Sequence, residues 1–156
     1  MHALALTPGG SAPVAPIPQP AESLDELLSR GKALVAQRKY AEAIPFLERA
    51  TQRDARSFDA WANLGYAYNE TGRLGDDVSA YERALALDDK QSWVWNNKGN
   101  ALNGLKRFEE ALVAYERALA LDPQFAVAWN NKAITLRTLE RNAEAEQAER
   151  RARELG

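Results

Sequence analysis

The sequence contains no cysteine and only one histidine, His2, close to its amino-terminal end. Disulfides, thiolate metal sites and cysteine nucleophiles are therefore excluded. A histidine metal cluster or a Ser–His–Asp triad would need a histidine inside the folded part, where there is none. No apolar run approaches the roughly 20 residues that a membrane-spanning helix needs. Because residues 1–10 also lack the cationic start of a signal peptide, we expect a cytoplasmic protein.

Signals for other function classes are also missing. The net charge is −2 over 156 residues, so there is no overall basic surface for nucleic acid. The glycine pair in Thr7–Ser11 lacks the lysine and the following helix of a phosphate-binding loop. Glu109 and Glu110 are neighbours in sequence and do not face each other on a helix. We expect no catalytic residue, no metal and no cofactor, and neither nucleic acid nor a membrane as partner.

A repeat of 34 residues is the main feature that the sequence does have. Trp61, Trp95 and Trp129 are each 34 residues apart, and the segment AYERALALD starts at Ala80 and again at Ala114. WNNK follows the same spacing, starting at both Trp95 and Trp129. A fixed period of this length indicates supersecondary units that stack and bury one continuous core.

Helical periodicity begins at Ser23, where Ser23 and Glu26 form the pattern of a capping box. Farther on, Asp122-Pro123 ends a helix because the residue before proline avoids the α region. The apolar spacing predicts an all-α chain of eight helices in four pairs, at about 23–36, 39–53, 58–71, 74–88, 92–105, 108–121, 126–139 and 142–155.

Residues 1–22 differ in composition from the rest, since they contain five of the seven prolines. Such a segment favours extended conformations and builds no core of its own. One interpretation is a flexible leader. The other is a ligand-like segment, because residues 14–20, VAPIPQP, could lie extended in a groove.

The repeat resembles the tetratricopeptide repeat. Its second unit carries Trp61, Leu64, Gly65 and Tyr68, and its third carries the set Trp95, Gly99, Leu102, Ala111, Tyr115, Ala118 and Pro123. The resemblance covers residues 24–156 in four units, at about 24–57, 58–91, 92–125 and 126–156. It implies a right-handed α-solenoid of four stacked helix-turn-helix repeats, in which the first helix of each pair lines a concave groove that holds extended peptides.

The helix predicted over 92–105 has two faces. Trp95, Gly99 and Leu102 form a packing stripe, whereas Trp93 begins a second stripe that continues with three asparagines. Asparagine is a poor helix former but offers a donor and an acceptor to a peptide group. With the groove positions implied by the resemblance, the predicted peptide-binding residues are Asn63, Tyr66, Trp93, Asn96, Asn97, Asn100, Asn103, Asn130, Asn131, Lys132 and Arg137. The alternative is that these amides hydrate a surface or bridge adjacent units.

Charge is distributed unevenly along the repeats. Residues 92–107 and 126–139 contain no acid, so the groove is predicted to be neutral to basic near Lys132 and Arg137. Asp77 departs from the pattern because it takes the position held by alanine in the other units. A carboxylate there is costly unless it reaches water or a partner. We expect Asp77 to tip outward, or else to weaken the second unit so that it can open.

The resulting hypothesis is a non-catalytic protein- or peptide-binding adaptor. Its expected ligand is an extended segment, with an apolar or proline residue on Trp93 and an acidic flank near Lys132. The alternative is a self-assembling scaffold linked by its end helices or its proline-rich tail. Binding of single-stranded nucleic acid through Trp93 is a third hypothesis, which strong salt dependence would reveal.

Overall fold

The computed structural model describes residues 22–156, and the predicted proline-rich tail lies almost wholly outside them. The described residues form eight helices and no strand, which confirms the all-α prediction, and each helix bound lies within two residues of its predicted place. The helices are α1 Leu24–Ala36, α2 Tyr40–Arg53, α3 Phe58–Glu70, α4 Asp76–Leu87, α5 Ser92–Gly104, α6 Phe108–Leu121, α7 Ala126–Thr138 and α8 Asn142–Leu155.

The start of α1 has the predicted capping box. The Ser23 backbone N–H donates to the Glu26 carboxylate at 2.7 Å, and the Glu26 N–H donates to Ser23 Oγ at 3.2 Å. Two of the amide groups that a helix leaves unpaired at its start are thereby satisfied.

Close approach within each pair depends on a small residue facing a large one. A Cβ atom on Gly99 would lie 2.5 Å from Tyr115 Cε1, and one on Gly65 would lie 2.8 Å from Tyr81 Cδ1. No real side chain tolerates such a distance, so glycine is required where α5 meets α6 and where α3 meets α4. Tyr81 and Tyr115 are fully buried as a result.

The repeated tryptophans join neighbouring pairs. Trp95 packs against buried residues of α4, α6 and α7. Its indole N–H donates to the Asp89 carbonyl at 2.8 Å, and Trp61 and Trp129 make the same bond to the carbonyl six residues before them. Each of these indoles therefore also fixes the loop that leads into its own helix.

The contacts between helices form a solenoid with two unequal rows. The backbone of each first helix (α1, α3, α5, α7) lies within 8 Å, between Cα atoms, of the next first helix, whereas within residues 22–156 no second helix (α2, α4, α6, α8) approaches another so closely. The first helices are thus the more crowded row, which places them on the concave side. We call the exposed side of α3, α5 and α7 the inner face.

Asp77 contradicts the expectation that it tips outward, since its side chain is 0% exposed. Its Oδ1 atom accepts from the backbone N–H groups of Gly75 at 2.9 Å and Val78 at 2.6 Å, while Oδ2 has no partner in the described part of the chain. The carboxylate thereby caps α4, which begins two residues later in the repeat than the other second helices. Leu74 stands where the other second helices already start, and it is left exposed.

Candidate functional site

Trp93 is the largest exposed apolar side chain on the inner face. It lies at the second residue of α5, is 38% exposed, and meets the Phe58 ring edge to face at 6.3 Å between centroids. The other three tryptophans use their indole N–H in a bond to a loop carbonyl, but Trp93 makes no such bond within residues 22–156. An aromatic surface therefore lies beside an N–H donor that has no partner among the described residues.

The apolar surface continues on α7. Val127 and Ile134 are more than half exposed, and Asn130 lies exposed between them. Val127 and Asn130 also border an open pocket of about 510 Å³, whose other walls are Ala126, Glu149, Ala152 and Arg153. The large apolar side chains exposed on the inner face thus lie on α5 and α7.

The predicted row of exposed amides is in part an internal network. Asn96 is only 3% exposed, and its Oδ1 accepts from Asn131 Nδ2 at 3.0 Å. Its own Nδ2 donates to Asn97 Oδ1 at 3.3 Å. The three amides join α5 to α7, as expected for amides that bridge adjacent units.

Two further amides of α5 also have partners inside the protein. Asn100 Oδ1 accepts from the Tyr115 hydroxyl at 2.8 Å, and Asn103 Oδ1 accepts from Thr135 Oγ1 at 3.4 Å. Burial raises the pKa of Tyr115 to about 12, so its hydroxyl stays a donor at neutral pH. Asn100 therefore ties α5 to α6, and Asn103 ties α5 to α7.

The predicted residues of α3 lie at the other end of the inner face. Asn63 Nδ2 donates to the Asp59 carbonyl of its own helix at 2.8 Å, so the Asn63 Oδ1 atom remains available as an acceptor. The half-buried Tyr66 ring meets Tyr40 edge to face at 5.7 Å. Both residues remain accessible but are held by local contacts.

The predicted cations are paired with acids of second helices. Lys132 Nζ lies 3.2 Å from a Glu116 carboxylate oxygen and 5.6 Å from the centroid of the Trp129 ring. Arg137 forms two bonds to Glu149, at 2.6 and 2.9 Å, and this pairing holds the pKa of the Glu149 carboxyl below its ordinary value. The inner face is therefore closer to neutral than the sequence alone indicates.

Phe58 and Val127 belong to this surface but are not among the predicted site residues. Phe58 stands one residue before the position equivalent to Trp93, so its place in the repeat does not mark it as a neighbour. Only the packing of α3 against α5 brings the two rings together. Val127 occupies the same repeat position as Trp93. This equivalence in the sequence could have identified Val127 as a residue of the same surface.

Other kinds of site are not found in the described part of the chain. Between residues 22 and 156 no group of three His, Asp or Glu side chains is placed to hold a metal ion. None of the helices there is long and apolar enough to cross a bilayer.

Three family models described as tetratricopeptide repeat match the sequence, over residues 28–92, 92–125 and 114–148. Together they span the repeats that the eight helices build. The chain belongs to the tetratricopeptide repeat family. Repeats of this family are protein-interaction scaffolds and are typically non-catalytic, which gives the chain an interaction role. No curated protein sequence matches the chain.

Solved structures of MamA have a similar fold. One MamA crystal structure aligns with a TM-score of 0.82 at 23% identity, over 85% of this chain and 77% of that one. MamA from Desulfovibrio magneticus RS-1 aligns with a TM-score of 0.82 at 17% identity, over 85% and 75%. MamA of AMB-1 gives 0.79 at 24% identity, over 87% and 80%. At these identities the similarity concerns the fold alone.

Proposed function

We propose that the inner face of this tetratricopeptide repeat protein binds an extended segment of a partner protein. The observation that carries the proposal is Trp93, a large aromatic that no repeated packing position requires and that stays 38% exposed. Exposed tryptophan within a surface of neighbouring apolar and amide groups has the composition of an interface hot spot.

The segment would place an apolar or proline side chain on Trp93 and continue over Val127 toward Ile134. Its backbone would bond to the amide groups that are not fully used inside the protein, on Asn63, Asn97, Asn130 and Asn131. Tyr66 would extend the contact toward α3. Asn96, Asn100 and Asn103 would contribute by holding α5 in place, because their bonds run to other parts of the protein.

An acidic flank of the ligand would meet Lys132 and Arg137 only by competing with their present partners. Glu116 and Glu149 already neutralise the two cations. The Arg137 side chain is 46% exposed and can exchange partners, since exposed ion pairs contribute at most about 1 kcal/mol. The Lys132 side chain is only 19% exposed and is less accessible to a ligand. Acidic residues would therefore tune the choice of partner, while the apolar contact to Trp93 provides most of the binding energy.

A peptide titration tests this proposal. Peptides selected from a random library on the full chain would be titrated calorimetrically against Trp93→Ala, with Val113→Ala as the control. Val113 is an exposed apolar residue of α6, a second helix, and lies off the inner face. We expect Trp93→Ala to weaken binding about 30-fold, equivalent to roughly 2 kcal/mol, and the control to bind normally. Unchanged affinity in a folded Trp93→Ala protein would remove Trp93 from the site.

The pocket beside Val127 supports a second candidate, a scaffold that self-assembles. Ala152 and Arg153 line it at positions that Ala118 and Leu119 hold one unit earlier. There Ala118 and Leu119 pack against Ala128 of α7 and against Phe125, the residue just before that helix. The pocket is therefore the place where a further first helix would dock. A second copy's α1 would fill it, and light scattering of wild type and Ala152→Glu would then show assembly lost in the variant.

A further inference from the structure

We propose that the pocket between α7 and α8 binds an amphipathic helix of a partner protein that carries an acid, an amide and an aromatic residue at fixed spacing. The inference deepens the second candidate function, which places a helix in the same pocket, and it names a different occupant. The earlier units supply the argument, because their interfaces show what each position of the docking surface accepts.

An ion pair joins each of the last two first helices to the second helix before it. Lys98 of α5 lies 3.0 Å from Glu82 of α4. Lys132 of α7 lies 3.2 Å from Glu116 of α6. The equivalent residue of α8 is Arg150, which is exposed and forms no ion pair within residues 22–156. A helix that docks on α8 in the same register therefore needs an acid where α5 and α7 have lysine.

The apolar part of the pocket also has a counterpart one unit earlier. Ala118 and Leu119 of α6 pack against Trp129 of α7. Their equivalents on α8 are Ala152 and Arg153, and both line the pocket. An aromatic side chain at the position of Trp129 would pack on Ala152 and lie against the Arg153 guanidinium, since cations are attracted to the faces of aromatic rings.

A polar group of α7 completes the docking surface. Asn96 of α5 accepts a hydrogen bond from Asn131 of α7, with 3.0 Å between Oδ1 and Nδ2. Asn130 is the equivalent of Asn96, lines the pocket and is exposed, and its side chain has no hydrogen-bond partner in the described part of the chain. An amide at the position of Asn131 would donate to Asn130. The surface thus favours an aromatic residue, an amide two positions later and an acid three positions later.

The charges around the pocket favour an acidic helix. Three cations, Arg137, Arg150 and Arg153, lie on this side of the protein with two acids, Glu146 and Glu149. The two bonds from Arg137 to Glu149 and, more weakly, the charge of Glu146 raise the pKa of Arg137, so these acids are already compensated. Arg150 and Arg153 form no ion pair among the described residues and leave an excess of positive charge.

The chain's own α1 fits this surface less well. In the register of α5 and α7, α1 of a second copy would bring Arg30 to the position that Lys98 and Lys132 hold. Arg30 would then meet Arg150, and like charges placed opposite each other across an interface disfavour association. The charge at this one position therefore distinguishes a partner helix from a second copy.

Two peptides that differ at one residue test the proposal on the full chain. The first has the sequence of residues 124–141, which includes α7, and the second has the same sequence with Lys132→Glu. Their binding would be measured by fluorescence anisotropy of a terminal label. We expect the glutamate peptide to bind about ten times more tightly, because an attractive pair with Arg150 replaces a repulsive one. In the protein variant Arg150→Glu, which restores the acid of the earlier units, the preference should be reversed.

Arg151→Glu is the matched control for the charge change. Arg151 is the exposed neighbour of Arg150 and is already paired with Glu154 at 2.9 Å. We expect the Arg151→Glu protein to keep its preference for the glutamate peptide. Circular dichroism checks that each variant is folded. If Arg150→Glu does not fold, Arg150→Gln replaces it and should abolish the preference without reversing it.

Equal binding of the two peptides, or binding of neither, would overturn the proposal. A reversal in Arg151→Glu as well would also overturn it, since overall charge would then explain the preference. If a peptide of residues 22–38, which includes α1, bound more tightly than the glutamate peptide, the pocket would belong to a second copy. That result would reject this inference and leave the second candidate function standing, whereas a monomeric wild type in light scattering would reject only the latter.

Discussion

Two tryptophans only two positions apart have different roles. Trp95 packs against three helices and bonds to the Asp89 carbonyl, whereas Trp93 contacts Phe58 and faces outward. We predict that Trp95→Ala lowers the free energy of unfolding by about 3–5 kcal/mol because it leaves a cavity between units. Trp93→Ala should cost less than about 1 kcal/mol. Urea denaturation of both variants measures the difference, and equal losses would show that the two faces are assigned wrongly.

The turn inside each pair contains a residue with positive φ. In the second pair it is Gly72, but in the others it is Arg38, Lys106 and Glu140, each with φ near +60°. A residue with a Cβ atom is strained there by about 1–2 kcal/mol.

Lys106→Gly is therefore predicted to stabilise the protein by about 1 kcal/mol, after allowing for the greater freedom of glycine in the unfolded chain. Lys106→Ala is the matched control, since it removes the same charge and keeps the strained Cβ. Thermal unfolding should show the gain in the glycine variant alone. Equal melting temperatures of the two variants would mean that loss of the lysine side chain, and not relief of backbone strain, determines the change in stability.

At the scale of the element, α4 is the helix that departs from the repeat. The buried Asp77 carboxylate delays its start by capping Gly75, and the unpartnered Oδ2 lies on the same side of the helix as the Tyr81 hydroxyl, which also lacks a partner among the described residues. Burial raises the pKa of Asp77 above its ordinary value of 3.8 and outweighs the hydrogen bonds from backbone N–H groups, which lower it. An ionised Asp77 therefore costs stability in the folded state.

We predict that Asp77→Ala stabilises the protein at neutral pH by about 1 kcal/mol, because a buried unpaired oxygen is removed. Since the folded-state pKa is the higher one, the cost is absent below the unfolded pKa and grows as pH rises through the window above 3.8. The advantage of the variant should thus shrink toward pH 4. Denaturation of wild type and variant at several pH values measures this trend. A constant difference would contradict the burial argument.

At the scale of the whole molecule, stability should vary along the solenoid. Helices α5 and α6 have neighbouring units on both sides, and α5 is joined to α7 by the bonds of Asn96 and Asn103. Within the described residues α7 is the only helix whose Cα atoms come within 8 Å of those of α8. Stacked repeats gain much of their stability at the interfaces between units.

Native-state hydrogen exchange should therefore show the amides of α8 exchanging faster than those of α5 and α6. Asn131→Ala should accelerate exchange in α7, because it removes the bond to Asn96, and should leave α3 unchanged. Asn63→Ala serves as the control, since Asn63 bonds only to its own helix in the described structure. Uniform exchange along the chain would indicate a single cooperative unit without weaker ends.

The sequence by itself determined the helices and their order. The spacing of Trp61, Trp95 and Trp129 and the glycines opposite large residues are local, repeated signals, and each helix can be placed from its own residues. The packing role of Gly99 and Leu102 followed from the same spacing. These features could be predicted because every unit repeats the same physical requirement.

Only the tertiary structure decided which polar groups are free. Whether Asn96 is available depends on Asn131, 35 residues away. Whether the Lys132 ammonium group is available to a ligand depends on Glu116 of the preceding unit. Asp77 was expected at the surface because its cost in a core is high, yet the late start of α4 gives it backbone partners. Hydrogen bonds and ion pairs between units depend on distances between different helices. The spacing of residues within one helix does not determine those distances, so the free groups of the site could be identified only from the tertiary structure.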